Sequence, residues 1–279
     1  MTSLQNKLEQ FSSAQFTAAI KNIHRGIERE ALRISPDGRL SQKDHPAALG
    51  SALTHPYITT DYSEALLELI TPPSNDIEQT FNQLKDVHRF VVQNLDDELL
   101  WPMSMPCFIM DEADIRIANY GQSNIGRMKS TYRMGLKNRY GSMMQAISGI
   151  HYNFSLPDAF WQLSQELDGN EASLQDYQSS QYMHLVRNVK RYVWVVTYLF
   201  GASPAMCGSF LKGRETCLEF ESFGKGSIFL PKATSLRMSG LGYTSTEQSS
   251  LRICYNELDN YIRVLREAMY QPSQRYAGF

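Results

Sequence analysis

Hydrophobic residues recur at helical spacing in three stretches of the 279-residue chain. Ile77, Phe81, Leu84, Val87, Val91 and Leu95 step by threes and fours after the turn TPPSN, with Asn75 and Glu78 spaced to act as a capping pair. Tyr182, Leu185, Val186, Val189, Val193, Val196 and Leu199 form a second stripe that stops at Gly201, with Pro204 beyond it. Leu251, Tyr255, Leu258, Ile262, Leu265 and Met269 form a third, closed by Pro272. Period-two alternation marks three shorter segments. RGIEREALRI alternates sharply, and ALLELITPP is an apolar run broken by the single acid Glu68. ISGIHYNFSLP sets His151, Asn153 and Ser155 against Ile150, Tyr152, Phe154 and Leu156. Helices and strands mix without the strand-helix rhythm of a parallel sheet, so the pattern predicts an α+β fold with a mainly antiparallel sheet.

Composition narrows the function classes. A hydrophobic content of 42% with 11% aromatics is ample for a packed core. The 27 basic and 29 acidic residues nearly balance, and no basic run offers a track for nucleic acid or an anionic membrane. The amino-terminal MTSLQNKLEQF lacks the basic-then-apolar order of a signal peptide, and the apolar run from Val193 to Phe200 is too short to span a bilayer, so a cytoplasmic location is expected. Cys107, Cys207, Cys217 and Cys254 form no C-x-x-C pair and are expected as reduced thiols packed as small hydrophobes. Asn153-Phe154-Ser155 matches a glycosylation acceptor, which has no meaning without secretion.

The unusual polar residues sit in the strands. On a strand, Glu28 and Glu30 share one face while Ile27, Arg29 and Ala31 take the other. Two readings stand for this pair: a solvated strand face, or carboxylates gathered around a divalent cation such as Mg²⁺, which takes oxygen ligands and leaves positions for phosphates. Asp61 and Glu68 flank a loop-to-strand stretch, DYSEALLELITP, where Glu68 either alternates out to water or needs a partner. His151 is open between a hydrogen-bonded structural residue and a ligand. Other motifs fail. GQSNIGRMKS has Arg127 where a phosphate loop requires lysine, and no H-E-x-x-H, G-x-S-x-G or zinc-type spacing occurs. The residues alone therefore support an α+β protein whose acidic strands could gather Mg²⁺ for phosphoryl chemistry.

Longer blocks carry a specific likeness. GIEREALRI (Gly26–Ile34), HPAALGSALTHPYITTDYSEALLELITPP (His45–Pro73), WPMSMPC (Trp101–Cys107), YGQSNIGRMKSTYRMGLKNRYG (Tyr120–Gly141), SGIHYNFSLP (Ser148–Pro157) and YLFGASPA (Tyr198–Ala205) closely resemble the proteobacterial type of glutamate-cysteine ligase. The resemblance implies a glutamine-synthetase-like fold, with an antiparallel sheet forming a half-open barrel inside surrounding helices. It implies ATP- and Mg²⁺-dependent ligation, with Mn²⁺ as an alternative ion, in which the γ-carboxylate of glutamate is activated as γ-glutamyl phosphate and then joined to cysteine, the first step of glutathione synthesis. Carried over by motif, Glu28, Glu30, Asp61, Glu68 and His151 resemble the metal ligands. Glu28, Glu30, Glu68 and Arg237 are the expected catalytic set, Arg237 facing a substrate carboxylate or the transferring phosphoryl group. Tyr62, Tyr132, Leu136, Gln145 and Tyr243 resemble a cysteine-binding pocket.

Family members of this type are about twice as long. The resemblance therefore implies a single catalytic-type domain over 1–279 that is the amino-terminal portion of such a ligase. The carboxy-terminal portion is then the expected partner, beside glutamate, cysteine and ATP. Nucleic acid and membrane are not expected partners. A ligase acting on another acceptor amine, and a fragment that binds ligands without turnover, are the competing expectations.

Overall fold

The structure is a computed structural model and describes residues 3–201, 203–241 and 251–272. In chain order its helices are α1 (Ser3–Phe11), α2 (Ala14–Ile20), α3 (Ile77–Gln93), α4 (Asn124–Tyr140), α5 (Asp158–Leu167), α6 (Leu174–Phe200) and α7 (Leu258–Tyr270). Its strands are β1 (His24–Ile34), β2 (Ile58–Thr60), β3 (Leu66–Ile70), β4 (Leu99–Leu100), β5 (Ile150–Ser155), β6 (Ala205–Cys207), β7 (Glu221–Gly224) and β8 (Ser227–Phe229). This is the α+β, antiparallel architecture that the pattern predicts. Two compact units divide the chain that the resemblance treats as one domain: Met1–Asn22, Leu156–Leu199 and Ser245–Phe279 form one, Ile23–Ser155 and Phe200–Thr244 the other.

The second of these units is built around β1. One edge of β1 pairs with β3, which pairs in turn with β2; the other edge pairs with β5 along its first half and with β4 at Arg33 and Ile34, every pairing antiparallel. Alternation gives β1 two unlike faces. Arg29, Ala31 and Arg33 share a face with Leu67 and Leu69 of β3, and α3 covers it, packing Val87 and Val91, with Leu95 just beyond its end, against Leu49, Ile58, Leu67 and Leu69. The opposite face changes character along the strand. Leu32 and Ile34 enter a core with Tyr62, Leu66, Met105, Met144, Ile147 and Phe210, whereas Glu28 and Glu30 lie nearer the start of the strand, beyond that core. A second sheet, ordered β6-β8-β7, contributes Met206 and Ile228 to the same core.

In the other unit, Phe16, Ala19, Phe160, Trp161 and Tyr177 form a separate core from α2, α5 and α6. Tyr182 supports it from α6, and its hydroxyl accepts from the Leu156 amide at 3.1 Å.

Several local expectations need correction. α3 is capped by Asp76, whose side chain accepts from the Gln79 amide at 2.9 Å, and not by an Asn75–Glu78 pair; the Asn75 carbonyl is taken by Arg25. The third stripe becomes helical only at Leu258, so Leu251 and Tyr255 lie outside α7. The α6 stripe is helical, but Val186, Val189, Val193, Val196 and Leu199 are exposed. Along β5 the apolar residues are no more buried than the polar ones: Ile150, Tyr152 and Phe154 are 71%, 59% and 45% exposed. All four cysteines are free thiols, and while Cys107 is buried as expected, Cys217 is exposed.

Candidate metal and anion site

The two strands that carry the acids, β1 and β3, and the strand that carries His151, β5, are brought into register by the antiparallel ladder. Glu30 lies directly opposite Glu68 of β3, and Glu28 directly opposite His151 of β5. Opposed residues in a ladder share a face, so all four side chains stand together. A pair of like charges directly across a ladder is unfavourable unless a cation intervenes. Glu28, Glu68 and His151 each offer a ligand atom, and these atoms lie within 4.8 Å of one another.

Hydrogen bonds orient each group. The carboxylate of Glu28 accepts from Asn153 Nδ2 at 2.8 Å through one oxygen and meets His151 Nδ1 at 3.0 Å through the other. A carboxylate accepts only, so Nδ1 carries the proton in this pair. The other ring nitrogen, Nε2, stands 3.6 Å from Glu30 Oε1. Glu30 is buried and clasped by one residue: its carboxylate accepts from the Gly149 amide at 2.6 Å, and its own amide donates to the Gly149 carbonyl at 2.9 Å.

Electrostatics match this crowding. Burial pushes the Glu68 carboxyl up to about 7, and the charges of Asp61, Glu28 and Glu30 push the same way against His151. The Glu30 carboxyl is also raised, first by burial and then by Asp61, against the Gly149 amide and the charges of His151 and Arg237. Burial raises the Asp61 carboxyl, and Arg133 opposes that shift. The carboxylates of Glu28 and Glu68 and one imidazole nitrogen, with the raised carboxyl of Glu30 on the same face, are donors of the kind that suits a hard divalent cation.

Asp61, at the start of the β2–β3 turn, is held from its backbone: its carbonyl accepts from Arg133 of α4 and from the Tyr120 hydroxyl. Arg237 lies in a short 3₁₀ turn, Leu236–Met238; its Nη1 donates to the Ile147 carbonyl at 3.5 Å, and its guanidinium lies beside Gly149. A cavity of about 410 Å³ is lined by Glu30, Gly149, His151 and Arg237 together with Met103 and Ser203. Glu28 borders a second cavity, of about 370 Å³, with Gly26, Thr71, Asn153 and Phe154.

The residues expected to bind cysteine are more scattered. Tyr62 is buried in the core, its hydroxyl hydrogen-bonded to Ser142 Oγ at 2.8 Å. Leu136 packs against that same core, and Gln145 is buried with its Nε2 unpartnered. Tyr132 is 60% exposed on α4, and Tyr243 lies outside the described residues. Sequence reasoning passed over Asn153, Gly149 and Arg133. Asn153 was visible as a polar residue in phase with His151 on an alternating strand. Gly149 and Arg133 carry no local signal, since their roles depend on residues 119 and 72 positions away.

The profile of the family described as Glutamate-cysteine ligase matches residues 8–279. A glutamate–cysteine ligase from Alcanivorax borkumensis is 55% identical over 276 residues, covering 99% of this chain and 52% of the relative. One from Pseudoalteromonas translucida is 54% identical over 275 residues, with the same coverage on both sides. Among solved structures, a Francisella tularensis glutamate–cysteine ligase in complex with AMP aligns with a TM-score of 0.83 and 38% identity, over 91% of this chain and 49% of that one. A bifunctional glutathione synthetase from Pasteurella multocida aligns with a TM-score of 0.74 and 31% identity, over 93% of this chain and 32% of that one. The chain thus spans about half the length of the curated relatives it matches. A match over nearly every residue, joined to a shared fold, leaves one conclusion: this chain belongs to the glutamate-cysteine ligase family.

Proposed function

We propose that the chain is the amino-terminal portion of a cytoplasmic ligase that joins the γ-carboxyl of L-glutamate to the amine of L-cysteine at the expense of ATP, giving γ-glutamylcysteine. The observation that carries the reading is the meeting of Glu28, Glu68 and His151 within 4.8 Å, on the strand face where Glu30 stands opposite Glu68. Names of relatives and the AMP held by the Francisella tularensis structure support a nucleotide-dependent ligase. Glu28, Glu30, Asp61, Glu68 and His151 would hold Mg²⁺, or Mn²⁺ in its place. Such an ion supplies charge neutralisation at the phosphate oxygens of ATP as the γ-carboxylate is phosphorylated.

The chain's own residues supply orientation and charge. Asn153 and the His151 Nδ1 proton fix both oxygens of Glu28, and the Gly149 amide fixes one oxygen of Glu30. Preorganisation of this kind spares the site reorganisation when anionic substrates arrive. Arg237, on the cavity that Glu30 and His151 share, serves as the cation for a substrate carboxylate or the transferring phosphoryl group. Tyr62, Tyr132, Leu136, Gln145 and Tyr243 are the residues assigned to cysteine, and that assignment rests on the family likeness.

The test is product formation by the 279-residue chain, read by mass spectrometry, with ATP, Mg²⁺, glutamate and cysteine present and each omitted in turn. γ-Glutamylcysteine that requires all four supports the ligase reading. A second reading, a binding portion without turnover of its own, is favoured by the exposure of every residue of β5. It predicts Mg²⁺ and ATP binding by a folded chain that forms no product. A faster reaction with an amine other than cysteine would reassign the acceptor.

A further inference from the structure

Gly149 precedes β5 and has a φ outside the left-handed region, so its backbone suits any L residue. No turn or positive φ therefore requires glycine there. Nor can its peptide move aside. Both its ends are bonded to Glu30, and the preceding Ser148 is tied to Ser104 by an amide-to-carbonyl bond of 2.9 Å and a hydroxyl-to-carbonyl bond of 2.7 Å.

What the glycine supplies is room. A Cβ at position 149 would stand 3.0 Å from Arg237 Nη2, 3.3 Å from Arg237 Cζ and 3.3 Å from His151 Nε2. His151 Nε2 stands 3.6 Å from Glu30 Oε1, and the charge of Arg237 acts on the same carboxylate. His151 is anchored through Nδ1 to Glu28 at 3.0 Å; Arg237 is held more loosely, Nη1 to the Ile147 carbonyl at 3.5 Å, and its guanidinium is the far end of a flexible side chain, so Arg237 is the group that yields.

We propose that Gly149 is a positioning residue: the space left by its missing side chain seats the Arg237 guanidinium beside Glu30 and His151, and so sets where the site binds an anionic substrate group. The ligand half of this inference rests on the reading of Arg237 given above; the seating half rests on geometry alone.

Two measurements separate the halves. Phenylglyoxal labelling of Arg237, read by peptide mass spectrometry with exposed Arg89 as the internal reference, reports the seat without any ligand. Gly149→Ala should raise Arg237 labelling several-fold, and an unchanged rate overturns the seating. Calorimetric titration of inorganic pyrophosphate with Mg²⁺ reports the ligand half. Gly149→Ala should weaken pyrophosphate about tenfold, the loss of one charge-assisted contact, and should have no further effect in an Arg237→Ala background. An equal loss in that background, or none in either, overturns the ligand half. No pyrophosphate binding by the unaltered chain overturns Arg237 as an anion site, while the labelling still decides the seat. If Gly149→Ala melts early, Gly149→Ala/Arg237→Ala should recover the lost stability, because the crowding partner is gone; failure of that rescue overturns the proposal.

Discussion

Glu68 is the residue on which burial and charge act most strongly in the site. Its carboxyl is raised from an ordinary 4.5 to about 7, so the folded chain holds that proton more tightly than the unfolded chain does. The sign follows: as far as Glu68 is concerned, metal-free stability is fully present below about pH 4.5 and declines as pH rises through about 7. The raised carboxyls of Glu30 and Asp61 act in the same direction. Glu68→Gln removes one charge from the cluster. The variant should be more stable than the unaltered chain at pH 8 without metal, should lose much of the decline between pH 5 and 8, and should bind Mn²⁺ weakly. Urea denaturation at several pH values checks the first two, and a variant less stable at pH 8 would contradict the electrostatic account.

A second residue-scale feature lies outside the site. Arg33 is wholly buried, bonded at 2.7 Å to Glu98 and donating to the carbonyls of Lys43 and Glu64. The Glu64 carboxylate in turn accepts the amides of His45 and Asn119, so this network pins the Asp61–Leu66 turn. Removing one partner of a buried pair leaves an uncompensated charge, and Glu98→Ala should cost roughly 3–5 kcal/mol in urea unfolding. A cost below about 1 kcal/mol would show that water reaches Arg33 when its partner is lost.

At the scale of elements, the cap of α3 and the environment of β5 are decided by neighbours. Asn75 and Asp76 are both good capping residues, and spacing to Glu78 favours Asn75. Arg25 claims the Asn75 carbonyl, and Asp76 accepts the Gln79 amide. Asp76→Ala should therefore lower stability by about 1 kcal/mol and Asn75→Ala by distinctly less, as thermal unfolding of the two variants side by side would report. β5 shows the same dependence differently. Its alternation is legible, yet Ile150, Tyr152 and Phe154 are exposed because no described element covers that face of the strand. Alternation states which residues share a face, and whether that face is covered is a property of other segments.

For the whole molecule, the α+β class, the two helices α3 and α6, and the strands β1, β3 and β5 were legible from the period of apolar residues. The partners of each strand were not. Four acids within one fold amount to stored repulsion that a bound divalent cation relieves, so Mn²⁺ should raise the melting temperature at pH 8. The gain should approach about 2.7 kcal/mol at a hundredfold excess over Kd, and Glu28→Gln should abolish it. A melting temperature insensitive to Mn²⁺ would count against the metal assignment. Local sequence determined that Glu28 and Glu30 share a face, because side-chain direction on a strand alternates with every residue. It determined the family too, because the matching blocks run through nearly the whole chain. Only the tertiary structure decided that Glu68 stands opposite Glu30, that His151 stands opposite Glu28, and that Gly149 and Arg237 close around them. Those distances join segments up to 119 residues apart in the bonds to Glu30, and ladder register and core packing set them, which no local periodicity encodes.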